Sequence, residues 1–234
     1  MDTCKREKVV VYSGTHNVYR QMYVAMSSLI ANTQVDKIYL LLDGTPFPYR
    51  IPDNVKMIDV SNQSFISRDS VNYNNPWSYM VLLRVAYSKM FPMHDCILSL
   101  DVDTIVDQDI SGIWDLPIDD YYYAMTHETH KSTDDNLYFN AGVMLMNLKK
   151  LRTDGMDEKL IRAVQTKKYP FCEQDCINEM CKGYVYDMPS SYNLTMFSEP
   201  TDDVKIIHYA CFKDLDNRVY FKKYADRIKE QGLL

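Results

Sequence analysis

Hydrophobic residues along this chain fall into two patterns, short continuous runs and stretches in which they recur every three or four positions. The continuous runs, which predict buried strands, lie at 9–12, 38–42, 55–60, 97–100, 122–125, 142–146, 185–186 and 204–208. The helical spacing is carried by Met22, Met26, Leu29 and Ile30, by Met80, Leu83, Tyr87 and Met90, and by segments near 157–167 and 174–180. Strands that alternate with helices predict an α/β fold with a mostly parallel sheet.

The chain reads as one domain over 1–234, with a helical tail at about 213–234. Its 234 residues suffice for one large α/β core, and the sequence shows neither an internal repeat nor a shift in composition that would mark a linker. Residues 61–77 are polar, rich in Asn and without a period, so they predict a long connection. A loop of that length inside a compact domain is often functional.

Charge and composition narrow the range of partners. The formal net charge is −6, which argues against nucleic acid as a partner because phosphate binding needs a basic surface. The charged first residues and the lack of a membrane-length apolar run predict a cytoplasmic protein. The basic residues near the carboxyl end are interleaved with acids, so they predict at most peripheral membrane contact.

The six cysteines predict reduced thiols rather than disulfides or a metal site. Cys172, Cys176 and Cys181 are the closest trio, and zinc is an alternative for them. They lack a fourth nearby ligand, however, and the apolar Ile177 and Met180 between them favour an ordinary helix face.

A pair of carboxylates follows the strand at 97–100. Asp101 and Asp103 lie two positions apart, so in extended geometry their side chains would share one face and could hold a hard divalent cation. The ends of strands are where open α/β sheets bind ligands. Taken alone the pattern is equally typical of a solvated turn, since Asp107 and Asp109 follow closely.

Three motifs together make the pattern more specific. They are Leu98-Ser-Leu-Asp-Val-Asp-Thr-Ile-Val106, Tyr138-Phe-Asn-Ala-Gly-Val-Met-Leu-Met-Asn-Leu-Lys-Lys150 and Glu173-Gln-Asp175. In this order and spacing the chain resembles glycosyltransferase family 8, the family of glycogenin and of bacterial lipooligosaccharide galactosyltransferases. The resemblance spans roughly residues 9 to 213. It implies a GT-A fold, a UDP-sugar donor of the glucose or galactose type, Mn²⁺ with Mg²⁺ as an alternative, and transfer with retention of anomeric configuration.

The resemblance also implies roles for individual residues. Asp101, Asp103 and His208 match the metal ligands, and an imidazole beside two carboxylates suits Mn²⁺ better than Mg²⁺. Gln174, Asp103 and Arg84 are the candidate catalytic residues, with Gln174 at the anomeric centre. The positions implied in donor binding are Ser13, Gly14, Thr15, Asn17, Arg84, Asp101, Val102, Asn140, Ala141, Gln174 and Lys213. Gly142 is expected to permit a close approach of the backbone.

The chain departs from the family's pattern at two places. The aspartate often found at the position of Thr15 is missing, which leaves the identity of the base open. Lys213 lies one residue early and lacks the Pro-Trp that follows it in the family, so Arg218 is an alternative contact for the diphosphate.

Retention requires either a covalent intermediate or attack from the face that the diphosphate leaves. Because the residue matching the anomeric-side position is a glutamine, a poor nucleophile, the hypothesis is same-face attack through an oxocarbenium-like state.

Two other classes of function stay open on the sequence. A nucleotidyltransferase would also use paired carboxylates, but the chain has neither a Gly-rich phosphate loop nor a Walker pattern. A catalytically weak nucleotide-sugar or glycan-binding module would explain the changes at Thr15 and Lys213. The acceptor is a carbohydrate, a lipid-linked glycan or a protein, with 126–136 and 73–77 as candidate contact segments, and the oligomeric state is left open.

Overall fold

A computed structural model describes residues 6–133, 135–210 and 214–232. Seven strands form its main sheet: β1 (Val9–Gly14), β2 (Lys37–Leu42), β3 (Val55–Asp59), β4 (Cys96–Leu100), β6 (Tyr123–Met125), β7 (Val143–Asn147) and β8 (Val185–Asp187). Two short strands, β5 (Thr104–Val106) and β9 (Ile206–His208), pair with each other in a second sheet. Each strand except β5 falls within or beside an apolar run that predicted it.

The main sheet is mostly parallel, as predicted, and it contains one reversed strand. Its order is β3-β2-β1-β4-β7-β6-β8. The pairs β3/β2, β2/β1, β1/β4 and β6/β8 are parallel, whereas β7 is antiparallel to both of its neighbours. The reversal places the start of β7 beside the end of β4, because opposed strands bring opposite ends to the same edge.

Helices cover both faces of the sheet. They are α1 (Tyr19–Asn32), α2 (Tyr87–Met90), α3 (Leu148–Thr153), α4 (Met156–Thr166), α5 (Cys172–Met180) and α6 (Val219–Glu230). On β1, Val10 and Tyr12 pack with α1 and α6, while Val9 and Val11 pack on the opposite face with α4 and α5. This alternation is the period of two expected of a strand buried on both sides.

The structure differs from the sequence-based expectations for two helices and adds detail to the predicted helical tail. Most of the helix predicted from Met80 to Met90 is a 3₁₀ segment, Val81–Ala86, followed by the single turn of α2. Helix α3, directly after β7, was not predicted. The carboxyl-terminal tail is a docked helix, since Phe221, Tyr224, Ala225 and Ile228 of α6 are buried against the core that includes α1.

The buried cysteines are free thiols, as predicted. Cys96, Cys172, Cys176 and Cys181 are buried, and burial raises the pKa of each thiol to about 12. Within the described ranges, no cysteine belongs to a group of side chains arranged to hold a metal. None of the helices described is both long and apolar enough to cross a bilayer.

Truncating Phe221 tests the docking of α6. Its side chain is fully buried, so Phe221→Ala is expected to lower the free energy of unfolding by about 3–5 kcal/mol through lost burial and the cavity left behind. Urea denaturation followed by circular dichroism measures the change. The neighbouring Tyr220 is partly exposed, and Tyr220→Ala should cost less than about 1 kcal/mol. Equal losses for the two variants would contradict the docked helix.

Candidate active site

Asp101 and Asp103 lie in a tight turn, residues 101–103, that joins β4 to β5. We call it the carboxylate turn. The backbone N–H of Thr104 donates to the Asp101 carbonyl at 3.2 Å, and the Thr104 hydroxyl donates to the same oxygen at 2.7 Å. The expectation that the carboxylates share one face of an extended strand is therefore wrong. The two carboxylates approach each other because of the turn, and not because side chains alternate along an extended strand.

His208 completes a cluster with these two carboxylates. It is the last residue of β9, where it pairs with Thr104 of β5. Its Nε2 lies 3.6 Å from an Asp101 carboxylate oxygen and 3.3 Å from one of Asp103. The three potential ligand atoms lie within 4.8 Å of one another. Two carboxylates and an imidazole at this separation form a donor set suited to a divalent cation.

Asn193 fixes the orientation of the imidazole. The amide oxygen of Asn193 lies 3.0 Å from His208 Nδ1, so Nδ1–H donates to it and Nε2 is left to face the carboxylates. Asn193 is fully buried, and its amide N–H donates to the Asn140 side-chain oxygen at 3.1 Å. Sequence analysis missed this residue, because nothing in its neighbours along the chain indicates a contact with His208.

Gly142 provides the space in which His208 lies. A Cβ atom at this position would be 2.0 Å from His208 Cε1 and 2.5 Å from Nδ1. The expected close approach at Gly142 is confirmed, and the group that approaches is a metal-ligand candidate. The Gly142 carbonyl also accepts from the backbone N–H of Asp101 at 2.8 Å, which ties the start of β7 to the turn.

The three groups shift one another's protonation. Burial raises the pKa of Asp101, although Arg84 acts against this. Burial also acts to raise the pKa of Asp103, but the charge of and hydrogen bond to His208 lower it overall. For His208, burial disfavours the charged form, while Asp103 and Asp101 raise the pKa above its ordinary value. The imidazole and the two carboxylates are therefore electrostatically coupled, and a bound cation would take the place of the proton that the carboxylates favour on His208.

Arg84 is buried beside this cluster. One terminal nitrogen donates to the Ala141 carbonyl at 3.1 Å and to Glu173 at 2.9 Å, and the other donates to Asp101. The Nε atom has no hydrogen-bond partner among the described residues. Burial raises the pKa of Glu173 to about 7 even though Arg84 acts against this. One buried cation thus links the segments that carry Asp101, Ala141 and Glu173.

Gln174 is held at the start of α5, next to Ala141. Its amide oxygen accepts from the Ala141 backbone N–H at 2.9 Å, and its amide nitrogen donates to the Tyr138 hydroxyl at 3.1 Å. The Tyr138 hydroxyl in turn donates to Asp175 at 2.5 Å. Glu173 and Asp175 therefore point to different partners, Arg84 and Tyr138.

The two carboxylates, His208, Arg84, Glu173 and Gln174 line one cavity of about 270 Å³. Of the predicted site residues, it brings together Arg84, Asp101, Asp103, Asn140, Ala141, Gln174 and His208. Glu128 also lines it, buried, and accepts from the Asn140 amide at 2.8 Å. The sequence indicated only the surrounding segment for Glu128, since a lone glutamate in a polar stretch gives no sign of being buried.

The predicted base-binding residues lie at the end of β1, outside the residues found to line this cavity. Ser13 and Gly14 end the strand, and Thr15 and Asn17 follow it. Val102, in the carboxylate turn, lies 3.7 Å from the position that a Gly14 Cβ would take, so the two regions adjoin.

A carboxylate lies near the Thr15 position after all, although it comes from another strand. Asp43, which follows β2, accepts from the backbone and the imidazole of His16 at 3.0 and 2.9 Å and from Tyr19 at 2.7 Å. Burial acts to raise the pKa of Asp43, but these hydrogen bonds lower it overall. Lys213 falls outside the described residues, and Arg218 caps the start of α6.

The sequence of the chain is similar to those of known proteins. The model of the family described as glycosyl transferase family 8 matches residues 9–213. The glycosyltransferase GlyE of Streptococcus pneumoniae serotype 4 is 25% identical over 196 residues, covering 80% of this chain and 48% of the relative. The lipopolysaccharide 1,2-glucosyltransferase of Escherichia coli K12 is 28% identical over 131 residues, covering 50% of this chain and 39% of the relative. The chain therefore spans about half the length of these curated relatives or less.

Solved structures share the fold. The galactosyltransferase LgtC, crystallised in complex with donor and acceptor sugar analogs, superposes with a TM-score of 0.72 at 21% identity. The match covers 97% of this chain and 100% of that one. The crystal structure of GlyE gives a TM-score of 0.72 at 21% identity, covering 97% of this chain and 64% of that one. The expected GT-A fold is confirmed.

Removing the Asn193 side chain tests the arrangement of the cation site. Asn193→Ala should weaken Mn²⁺ binding by about 10- to 100-fold, because His208 loses the acceptor that orients it. Isothermal titration calorimetry measures the affinity, and circular dichroism checks folding. Asn193→Asp keeps an acceptor and should lose less, and Asn62→Ala, at an exposed position, is the matched control. Unchanged Mn²⁺ affinity in Asn193→Ala would count against the site.

Proposed function

Because the chain belongs to glycosyltransferase family 8, we propose that it is a hexosyltransferase that moves a sugar from a UDP-sugar to an acceptor hydroxyl. The observation that carries the proposal is the convergence of Asp101, Asp103 and His208 with Arg84 and Gln174 in one cavity. In the proposed reaction the bond from C1 of the sugar to the β-phosphate oxygen breaks and a bond from C1 to the acceptor oxygen forms. UDP leaves with the bonding electrons, and the acceptor hydroxyl gives its proton to the departing β-phosphate oxygen on the same face.

Asp101, Asp103 and His208 would hold a divalent cation, with Mn²⁺ favoured over Mg²⁺ by the imidazole ligand. The donor set fits such an ion, since the three atoms converge and Asn193 leaves Nε2 of His208 free to coordinate. The ion would supply Lewis-acid stabilisation of the charge on the departing diphosphate. The residues themselves contribute orientation, since each is held by the turn, by β9 or by a buried hydrogen bond.

Arg84 would act on the diphosphate mainly through the carboxylate that it fixes. Its terminal nitrogens are already engaged by Asp101, Glu173 and the Ala141 carbonyl. The unpaired Nε remains as a buried donor that a ligand oxygen could satisfy. We infer that Arg84 both positions Asp101 and provides a positive potential near the diphosphate of the UDP-sugar.

Gln174 would face the anomeric carbon without forming a covalent intermediate. Its amide oxygen already accepts from the Ala141 backbone, and its amide nitrogen donates to Tyr138. A neutral amide committed in this way is a poor nucleophile. Retention would therefore proceed by attack on the same face that UDP leaves, with the amide dipole stabilising the oxocarbenium-like state.

The expected setting is the synthesis of glycan, lipopolysaccharide or capsule. The support is the name of the related lipopolysaccharide 1,2-glucosyltransferase of Escherichia coli. Uracil is proposed as the base because Asp43 and His16 bring a carboxylate and an imidazole to the end of β1, where Thr15 lacks an acid.

Replacing Asp103 tests the transferase proposal. Release of UDP is measured over a panel of UDP-glucose, UDP-galactose and their N-acetyl derivatives, with and without Mn²⁺. One donor should turn over in a metal-dependent manner, and Asp103→Asn should lose about 10²-fold or more of kcat because a ligand is lost. Asp109→Asn, the same change at an exposed position, should retain full rate.

Two results would contradict the proposal. Equal turnover by the wild type and Asp103→Asn would show that the carboxylate turn takes no part in the reaction. Binding of UDP-sugars without turnover of any of them would favour the sugar-nucleotide-binding module instead. For an active donor, proton NMR of the fresh product reports whether its anomeric configuration is retained.

A further inference from the structure

A group of partly exposed rings surrounds the cavity, and neither the metal site nor the donor contacts make use of it. Trp77, Phe171, His130 and Phe197 all line the cavity. Trp77 is 48% exposed and Phe171 is 43% exposed, although residues of these types are normally covered. Apolar surface that stays exposed at the edge of a polar cavity indicates that a ligand covers it. We call these four residues the aromatic rim.

The rings of the aromatic rim form two pairs. Trp77 and Phe171 have centroids 6.0 Å apart with planes inclined at 34°. His130 and Phe197 have centroids 4.6 Å apart with planes inclined at 36°. Their spacing and tilt give each pair a broad face without closing the cavity.

Lys131 holds Phe171 in place and adds a charge to the cavity wall. Its ammonium lies 3.8 Å from the Phe171 ring centroid and 4.4 Å from that of Tyr138, within the range of cation–π contacts. The same ammonium lies 3.1 Å from a carboxylate oxygen of Glu128. The rim is therefore preorganised, which reduces the entropy lost when a ligand binds.

The aromatic rim is also connected to the proposed catalytic amide. The backbone N–H of Phe171 donates to Asp175 at 2.8 Å. Asp175 accepts from Tyr138, whose hydroxyl accepts from Gln174. A ligand seated on Phe171 would thus be placed relative to Gln174 by a chain of three hydrogen bonds.

We propose that the aromatic rim is an acceptor subsite for a saccharide, whose pyranose ring stacks on Trp77 and Phe171. This rests on the proposed transferase function. A pyranose has an apolar face of C–H groups, which suits an aromatic plane, and a perimeter of hydroxyls, which suits the carboxylate of Glu128 and the ammonium of Lys131.

Other acceptor classes match the rim less well. A lipid chain would make no use of the Glu128 and Lys131 charges beside the rings. An extended peptide would present backbone N–H and C=O groups in a regular row, and the rings offer these groups no partners. The combination of flat apolar faces and a charged pair at one edge favours a sugar ring.

Replacing Trp77 tests the subsite in the transfer reaction. With methyl β-glucopyranoside and methyl β-galactopyranoside as acceptors, Trp77→Ala should raise the acceptor KM about tenfold, while the KM for the UDP-sugar stays within about twofold. Trp77→Phe keeps an aromatic face, so its acceptor KM should stay close to that of the wild type. Phe171→Leu should also raise the acceptor KM. Tyr184→Ala, at an equally exposed tyrosine outside the cavity lining, is the control.

Tryptophan emission reports binding independently of turnover. The chain has two tryptophans, and Trp114 is buried, so a saturable change in emission with either glycoside that disappears in Trp77→Phe would locate binding at the rim. Such a change without turnover of any UDP-sugar would uphold the subsite and overturn the transferase function.

Three results would overturn the saccharide subsite. The first is turnover with an unchanged acceptor KM in both Trp77→Ala and Phe171→Leu. The second is an acceptor KM that rises equally in Tyr184→Ala. The third is transfer to a Ser- and Thr-containing peptide with no transfer to, and no emission change from, either glycoside, which would make the rim a peptide site.

Discussion

The buried guanidinium of Arg84 is the interaction on which the proposed site depends. A cation without partners could not remain in this interior, because the desolvation cost of an unpaired buried charge is several kcal/mol or more. Asp101 and Glu173 neutralise it from two segments that are far apart in sequence, and the Ala141 carbonyl holds it from a third. The need to satisfy one charge therefore brings the carboxylate turn, the start of β7 and the start of α5 together.

The reversed strand makes this convergence geometrically possible. If β7 ran parallel to β4, its first residues would lie at the opposite edge of the sheet from Asp101. Because it runs antiparallel, Leu100 pairs with Val143 and the Gly142 carbonyl accepts from Asp101. The antiparallel register thus carries the Asn140–Gly142 segment to the edge where β1 and β4 end, which is where open α/β sheets bind ligands.

Sequence reasoning predicted every described strand except β5, the α/β class, and residues of contiguous motifs, such as Asp101, Asp103 and Gln174, that line one cavity. It failed where a role depends on contacts between distant segments. Asn193 orients His208 across 15 positions, and nothing in its immediate neighbours indicates this. The extended geometry assumed for the two carboxylates was also wrong, since a turn depends on local hydrogen bonds that the alternation of residue types does not encode.

The lack of a side chain at Gly142 matters to the proposed site because of the group that lies beside it. The imidazole of His208 occupies the volume that a methyl group at this position would fill. One added carbon would therefore displace a prospective metal ligand. A related chain could lose the proposed cation site through one substitution at this glycine, so similarity of fold alone does not show that the chemistry is inherited.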